Sequence, residues 1–149
     1  MKKLIPAIIA ILIIPFAIAC KKGTSSTGTV TNGVAKIVLT ISPALVLVAN
    51  TTRCDAMTLS IGTNYSTDLF CGTSTYTSDN FSVTEGQNFG YELSTSAMIS
   101  QCYSVTGDIY YNGVVVSSKS VSIGYNGLGT ATPTPCTNGT RFYHNAIVK

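Results

Sequence analysis

Apolar side chains recur at every second position through much of this chain, which is the signature of half-buried β-strands. Met57, Leu59 and Ile61 share one face of a run whose other face holds Thr58 and Ser60. Phe89, Tyr91 and Leu93 alternate in the same way with Gly90 and Glu92. Val34 to Ile41 predicts a first strand, halted at Ser42-Pro43 because proline cannot donate to a ladder. The run Ala44-Leu45-Val46-Leu47-Val48-Ala49 is apolar without alternation, so it predicts a strand buried on both faces or covered by a loop on one. Arg141 to Val148 predicts a closing strand. No window beyond Cys20 sustains a 3.6-residue apolar period, so helices are not expected.

Turn chemistry divides these runs. Asn112-Gly113 between Asp108–Tyr111 and Val114–Val116 is the preferred sequence for a type I′ hairpin turn. After Ser117 the apolar parity shifts to Val121 and Ile123, which predicts a bulge or a change of sheet near Ser118-Lys119. Phe81-Ser82-Val83 leads into a turn at Glu85-Gly86, and Tyr125 to Asn138 reads as a long Gly/Thr/Pro-rich loop. Seven to nine short strands result, an all-β antiparallel sandwich. In architecture alone it resembles the immunoglobulin-like sandwiches. The Cys…Trp…Cys pattern of true immunoglobulin domains is missing, because the chain has no Trp.

The hairpin around Gly62-Thr63-Asn64 bears on the cysteines. A two-residue turn would set Cys54 opposite Cys71 at a spacing of about 4.5 Å, within disulfide range. A three-residue loop aligns Ile61 with Tyr65 and Met57 with Leu69, leaving Cys54 one residue off. Either register brings the two thiols close. Four cysteines allow three pairings, of which this hairpin favours Cys54–Cys71 and, by elimination, Cys102–Cys136.

The beginning of the chain follows a different pattern. Lys2 and Lys3 precede an apolar stretch from Leu4 to Ala19 that contains Pro6 and Pro15, the layout of a secretory signal. Its length falls short of the roughly 20 residues that span a bilayer. Ala17-Ile18-Ala19 satisfies the rule for ordinary signal removal. Ala19-Cys20 also resembles the end of a bacterial lipobox, although Ala17 stands where those lipoproteins usually carry leucine. The resemblance implies a diacylglycerol on the Cys20 thiol and cleavage before it. Cysteine parity points the same way: without Cys20, four cysteines remain for two disulfides in an exported domain. In Gram-negative lipoproteins an aspartate after the modified cysteine commonly signals retention in the inner membrane. Lys21 stands there, so the resemblance implies the outer membrane. Residues 1–19 thus read as signal, 20–33 as an anchored Gly/Ser/Thr linker spanning about 20 Å as a coil, and 34–149 as the domain.

Charge removes one class of partner. Without the leader lysines, seven basic side chains face six acidic ones, with no basic stripe, so nucleic-acid binding is not expected. Candidate chemistry is sparse. His144 is the one histidine, no G-x-S-x-G elbow occurs, and the cysteines lack zinc-site spacing. The acidic residues are scattered and no calcium loop is present, so no metal or cofactor is expected. A lone histidine in a closing strand predicts an ordinary surface or edge residue. The eight tyrosines are the remaining candidates for recognition. Adjacent Tyr110 and Tyr111 must point to opposite faces of a strand, so one of them is expected to leave the core and contribute to a binding surface. A non-enzymatic module binding an envelope protein or a glycan is the expectation, with a purely structural envelope component as the rival and a hydrolase with an unrecognised site as a third reading.

Overall fold

The computed structural model describes residues 31–47, 52, 54–95, 99–126, 132 and 134–149. The leader, Cys20, most of the linker, Val48-Ala49 and residues 127–131 of the long loop lie outside the described residues.

Among the described residues, ten strands form two antiparallel sheets. They are β1 (Asn32–Ser42), β2 (Met57–Ile61), β3 (Tyr65–Leu69), β4 (Thr75–Thr77) and β5 (Phe81–Thr84). The second half contributes β6 (Asn88–Thr95), β7 (Cys102–Tyr111), β8 (Val114–Asn126), β9 (Thr134–Pro135) and β10 (Arg141–Ile147). The first sheet runs β4-β1-β7-β8-β9, with β5 sharing the β4 side of β1. The second runs β10-β6-β2-β3. β1 already begins at Asn32, inside the stretch that reads as linker.

The alternation seen in the sequence faces the core as its period requires. Ala35, Ile37, Leu39 and Ile41 of β1 pack with Tyr103, Val105, Ile109 and Tyr111 of β7 against Met57, Leu59, Tyr91, Leu93 and Phe142 of the other sheet. Between β4 and β5 the partner strand of β1 is interrupted. Buried Ser78 covers the gap: its Oγ accepts from Ile37 N at 2.9 Å, and its own N–H donates to the Ile37 carbonyl at 2.9 Å. Buried Asp55 is likewise satisfied, accepting from Ser100 N at 2.9 Å, from the Ser100 hydroxyl, and from the Tyr103 hydroxyl at 2.5 Å. Burial first, and then this bond to Asp55, push the Tyr103 phenol pKa up.

Both hairpins obey their turn residues. Asn112 and Gly113 take φ of 48° and 84°, the positive pair that a type I′ turn needs and that glycine adopts without strain. The bulge falls earlier than Ser118-Lys119. Ile109 is opposite Ser117 and Tyr110 opposite Val115, so Val116 is the extra residue. At Gly62–Asn64 the three-residue register holds, with Ile61 opposite Tyr65 and Met57 opposite Leu69. Cys54 bonds to Cys71 across the mouth of that hairpin, with Cα atoms 5.3 Å apart. Cys102 bonds to Cys136 at 5.7 Å, which pins the end of the long loop to the start of β7.

The expected strand over 44–49 does not form in its described part. After Pro43 the main chain turns to the loop beyond Cys71 instead. Leu45 N–H donates to the Thr73 carbonyl and its own carbonyl accepts from Gly72 N–H. Leu45 is buried, whereas Leu47 makes one isolated bridge to Cys54 and is exposed.

Candidate functional site

The outer face of the second sheet carries a groove. In β6 the inward set Phe89, Tyr91 and Leu93 leaves Asn88, Gly90, Glu92 and Ser94 outside. In β10, Phe142 and His144 are buried, so Arg141, Tyr143, Asn145 and Ile147 face out. Pairing sets Tyr143 opposite Glu92 and Asn145 opposite Gly90, while Ser60 of β2 flanks Glu92 on the other side. Gly90 contributes no side chain there. A Cβ on it would stand 2.5 Å from the His144 carbonyl oxygen and 2.6 Å from the Asn145 Cβ. The result is a cavity of about 310 Å³, floored by Gly90 and Gly62 and walled by Tyr143, Glu92, Asn145 and Ser60.

Each wall has a distinct chemistry. Tyr143 is 62% exposed, an aromatic ring standing free on a polar strand face. Glu92 is partly buried and lies 3.7 Å from Arg141 Nε, a surface ion pair of small energetic weight. Asn145, Asn88 and Ser60 offer donors and acceptors in close array. An apolar plate beside a few convergent polar groups is the composition of a small-molecule site.

A second depression of about 800 Å³ adjoins it at the end of the sandwich, sharing Gly62, Asn88 and Gly90. Tyr65, Phe81 and Phe89 line its apolar side, where Tyr65 meets Phe81 edge-on with centroids 5.3 Å apart. The Tyr65 hydroxyl is 2.5 Å from that of Tyr76. That hydrogen bond, ahead of burial, pushes the Tyr65 pKa up to about 12.

His144 lies on an edge strand, since β10 ends its sheet, but it is not at the surface. It is 4% exposed and lies in the seam between β10 and β8. Its Nε2 is 2.8 Å from Ser117 Oγ, and its Nδ1 is 3.3 Å from the Tyr91 hydroxyl. Lys119 Nζ stands 5.2 Å from the centroid of the neighbouring Phe142 ring. Burial, then the Lys119 ammonium, hold the imidazole pKa below its ordinary value, against the pull of Asp108 and the Gly107 carbonyl. Burial also pushes the Tyr91 phenol up, with the Asp108 charge adding to it. The arrangement ties the two sheets together; the third member that would orient a Ser–His pair for nucleophilic attack is a tyrosine, not a carboxylate.

The structure separates Tyr110 from Tyr111. Tyr111 is buried in the core and covers Gly33, so it forms no part of a surface. Tyr110 lies on the outer face of the first sheet, half-buried, between Lys36 and Val115 in register, with Lys36 Nζ 5.3 Å from its ring centroid. The exposed tyrosine beside convergent polar groups is Tyr143. Its signal was present in β10, where Arg141, Tyr143 and Asn145 alternate with Phe142 and His144. Among the described residues no cluster of His, Cys, Asp and Glu is placed to hold a metal ion, and no helix is long and apolar enough to cross a membrane. Cys20 lies outside the described residues. No family description, curated protein or solved structure matches this chain.

Proposed function

We propose that this chain is a lipid-anchored cell-envelope protein whose sandwich binds carbohydrate in the Tyr143 groove without cleaving it. The observation that carries the reading is the exposed Tyr143 ring set opposite Glu92 over a floor of Gly90. A pyranose presents an apolar face of C–H groups and a rim of hydroxyls. The ring suits the face, and Glu92, Asn145, Asn88 and Ser60 suit the rim. Among the described residues Glu92 is the one carboxylate lining either depression. Glycoside hydrolysis ordinarily needs two carboxyl groups about 5–10 Å apart across the bond, so binding alone is the activity this site supports.

Two features support the anchored placement. The four cysteines of the sandwich are used up by its two disulfides, which leaves Cys20 to another fate. β1 also enters the sandwich beside the groove. Thr31 Oγ1 donates to Glu85 at 2.8 Å, and the Glu85–Gln87 turn borders the larger depression. A chain anchored at Cys20 therefore joins the sandwich at the end where the larger depression lies, a Gly/Ser/Thr linker away from the lipid and within reach of envelope glycans.

The rival reading, assembly through strand edges, draws on β10, which ends its sheet and exposes Ile147. The opposing edge of β8 carries a bulge at Val116 and the charge of Lys119, both of which discourage strand addition. Calorimetric titration of the full chain with a panel of soluble oligosaccharides tests the proposal. Binding that disappears in Tyr143→Ala at unchanged melting temperature is expected; a wild-type protein that binds no sugar overturns it.

A further inference from the structure

Resting on the carbohydrate reading, we infer that the ligand is an extended, uncharged glycan bearing N-acetyl groups, held across both depressions at once. The two cavities adjoin, with Gly62, Asn88 and Gly90 lining both. The smaller, of about 310 Å³, is at the lower limit for a ligand site, whereas the larger, of about 800 Å³, has room for several further units. A linear chain that stacks on Tyr143 and continues over Gly62 enters the larger lobe at the turn of the β2–β3 hairpin.

The lining specifies the class of sugar. Amide side chains recur along the path: Asn145 and Asn88 in the first lobe, Asn64 and Gln87 in the second. The Asn64 and Gln87 oxygens each already accept one bond, from Thr63 Oγ1 and Thr84 N, and keep a second lone pair and the NH2 group for a ligand. An amide both donates and accepts, which matches the N–H and C=O of an acetamido group. The methyl of that group needs an apolar contact, and Phe81 and Tyr65 supply one beside the amides. Among the described residues no Lys or Arg lines either lobe, and the one nearby cation, Arg141, is already paired with Glu92, so the walls offer a polyanionic glycan no free positive charge.

The test is a length series. The full chain is titrated with N-acetylglucosamine oligomers of one to six units and with glucose oligomers of the same lengths. Affinity for the N-acetylated series is expected to rise about tenfold or more between one and four units, because each linked unit binds at a high effective concentration. Asn64→Trp, which fills the second lobe from an exposed turn, should return the tetramer to the affinity of the single sugar; Thr63→Trp serves as a second block. Tyr143→Ala should weaken every length. Equal affinity for one and four units, equal affinity for the glucose series, or tetramer binding untouched by both tryptophans overturns the extended N-acetylated ligand while leaving carbohydrate binding intact. Binding to neither series removes both readings.

Discussion

Tyr91 of the second sheet places its hydroxyl where Gly107 of the first sheet has no side chain; a Cβ on Gly107 would fall on the phenolic oxygen. The two residues are joined by no ladder and lie on different sheets, yet each is shaped to the other. Gly107 occupies an inward position of β7, where its neighbours are Val105 and Ile109. Glycine is a weak strand residue, and here the close approach of another side chain explains its presence. Gly107→Ala should destabilise the domain by about 1–3 kcal/mol through overpacking. Tyr91→Phe removes the clashing oxygen, so the double variant should recover part of that loss. Urea midpoints of the four proteins check the non-additivity; strictly additive losses would falsify the contact.

His144 makes stability depend on pH in a defined direction. Its folded pKa lies below the unfolded value, mainly because the imidazole is buried. Above the unfolded pKa of about 6.5 both states are neutral and the stability is fully present. As pH falls below that value the unfolded chain takes up the proton first, and stability declines until the folded pKa is reached. Urea midpoints measured from pH 8 to pH 5 should fall on the acid side, and His144→Gln should flatten that segment. An unchanged slope in the variant would assign the effect to other groups.

Tyr111 differs from Tyr91 in one respect. Its hydroxyl is buried and has no hydrogen-bond partner among the described residues. Tyr111→Phe therefore removes an unsatisfied oxygen and keeps the ring over Gly33. The variant should be as stable as the parent or gain up to about 1 kcal/mol. A loss larger than that in thermal melts would show that the hydroxyl is bonded.

The disulfides close loops of unequal length, with sequence separations of 17 for Cys54–Cys71 and 34 for Cys102–Cys136. In the chain-entropy model each contributes on the order of 3 kcal/mol, the longer loop about 0.6 kcal/mol more. Paired Cys→Ser replacements should rank in that order by chemical denaturation. The opposite order would assign the difference to native packing around the bridges.

Mass spectrometry of the mature N-terminus addresses the anchor. An acylated Cys20 as first residue is the expected species. A free Cys20, or a chain that retains residues 1–19, would remove the lipid from the proposal.

Alternation with period two is a property of one strand. Met57, Leu59 and Ile61, or Phe89, Tyr91 and Leu93, therefore announce both strand and inward face without knowledge of any neighbour. Asn112-Gly113 specifies its turn for an equally local reason, the positive φ that those two residues accept. Hairpin geometry is nearly as local, and it brings Cys54 and Cys71 together in either register. The run at 44–49 misled because apolar composition records burial, not the ladder that delivers it; Leu45 is buried from a loop.

The groove is of another kind. Gly62 and Gly90 become its floor only because β2 pairs with β6, and Tyr143 meets Glu92 only because β10 does so as well. Alternation in β10 turns Tyr143 outward, but nothing near it in sequence says which groups converge on it, and the burial of His144 depends on Ser117 and Tyr91 arriving from two other strands. Sequence alone determined the alternating strands with their inward faces, the hairpin turns and the close approach of one cysteine pair, because these follow from backbone geometry over a few residues. The tertiary structure decided which outward residues converge, because strand partners are chosen by burying the whole core at once.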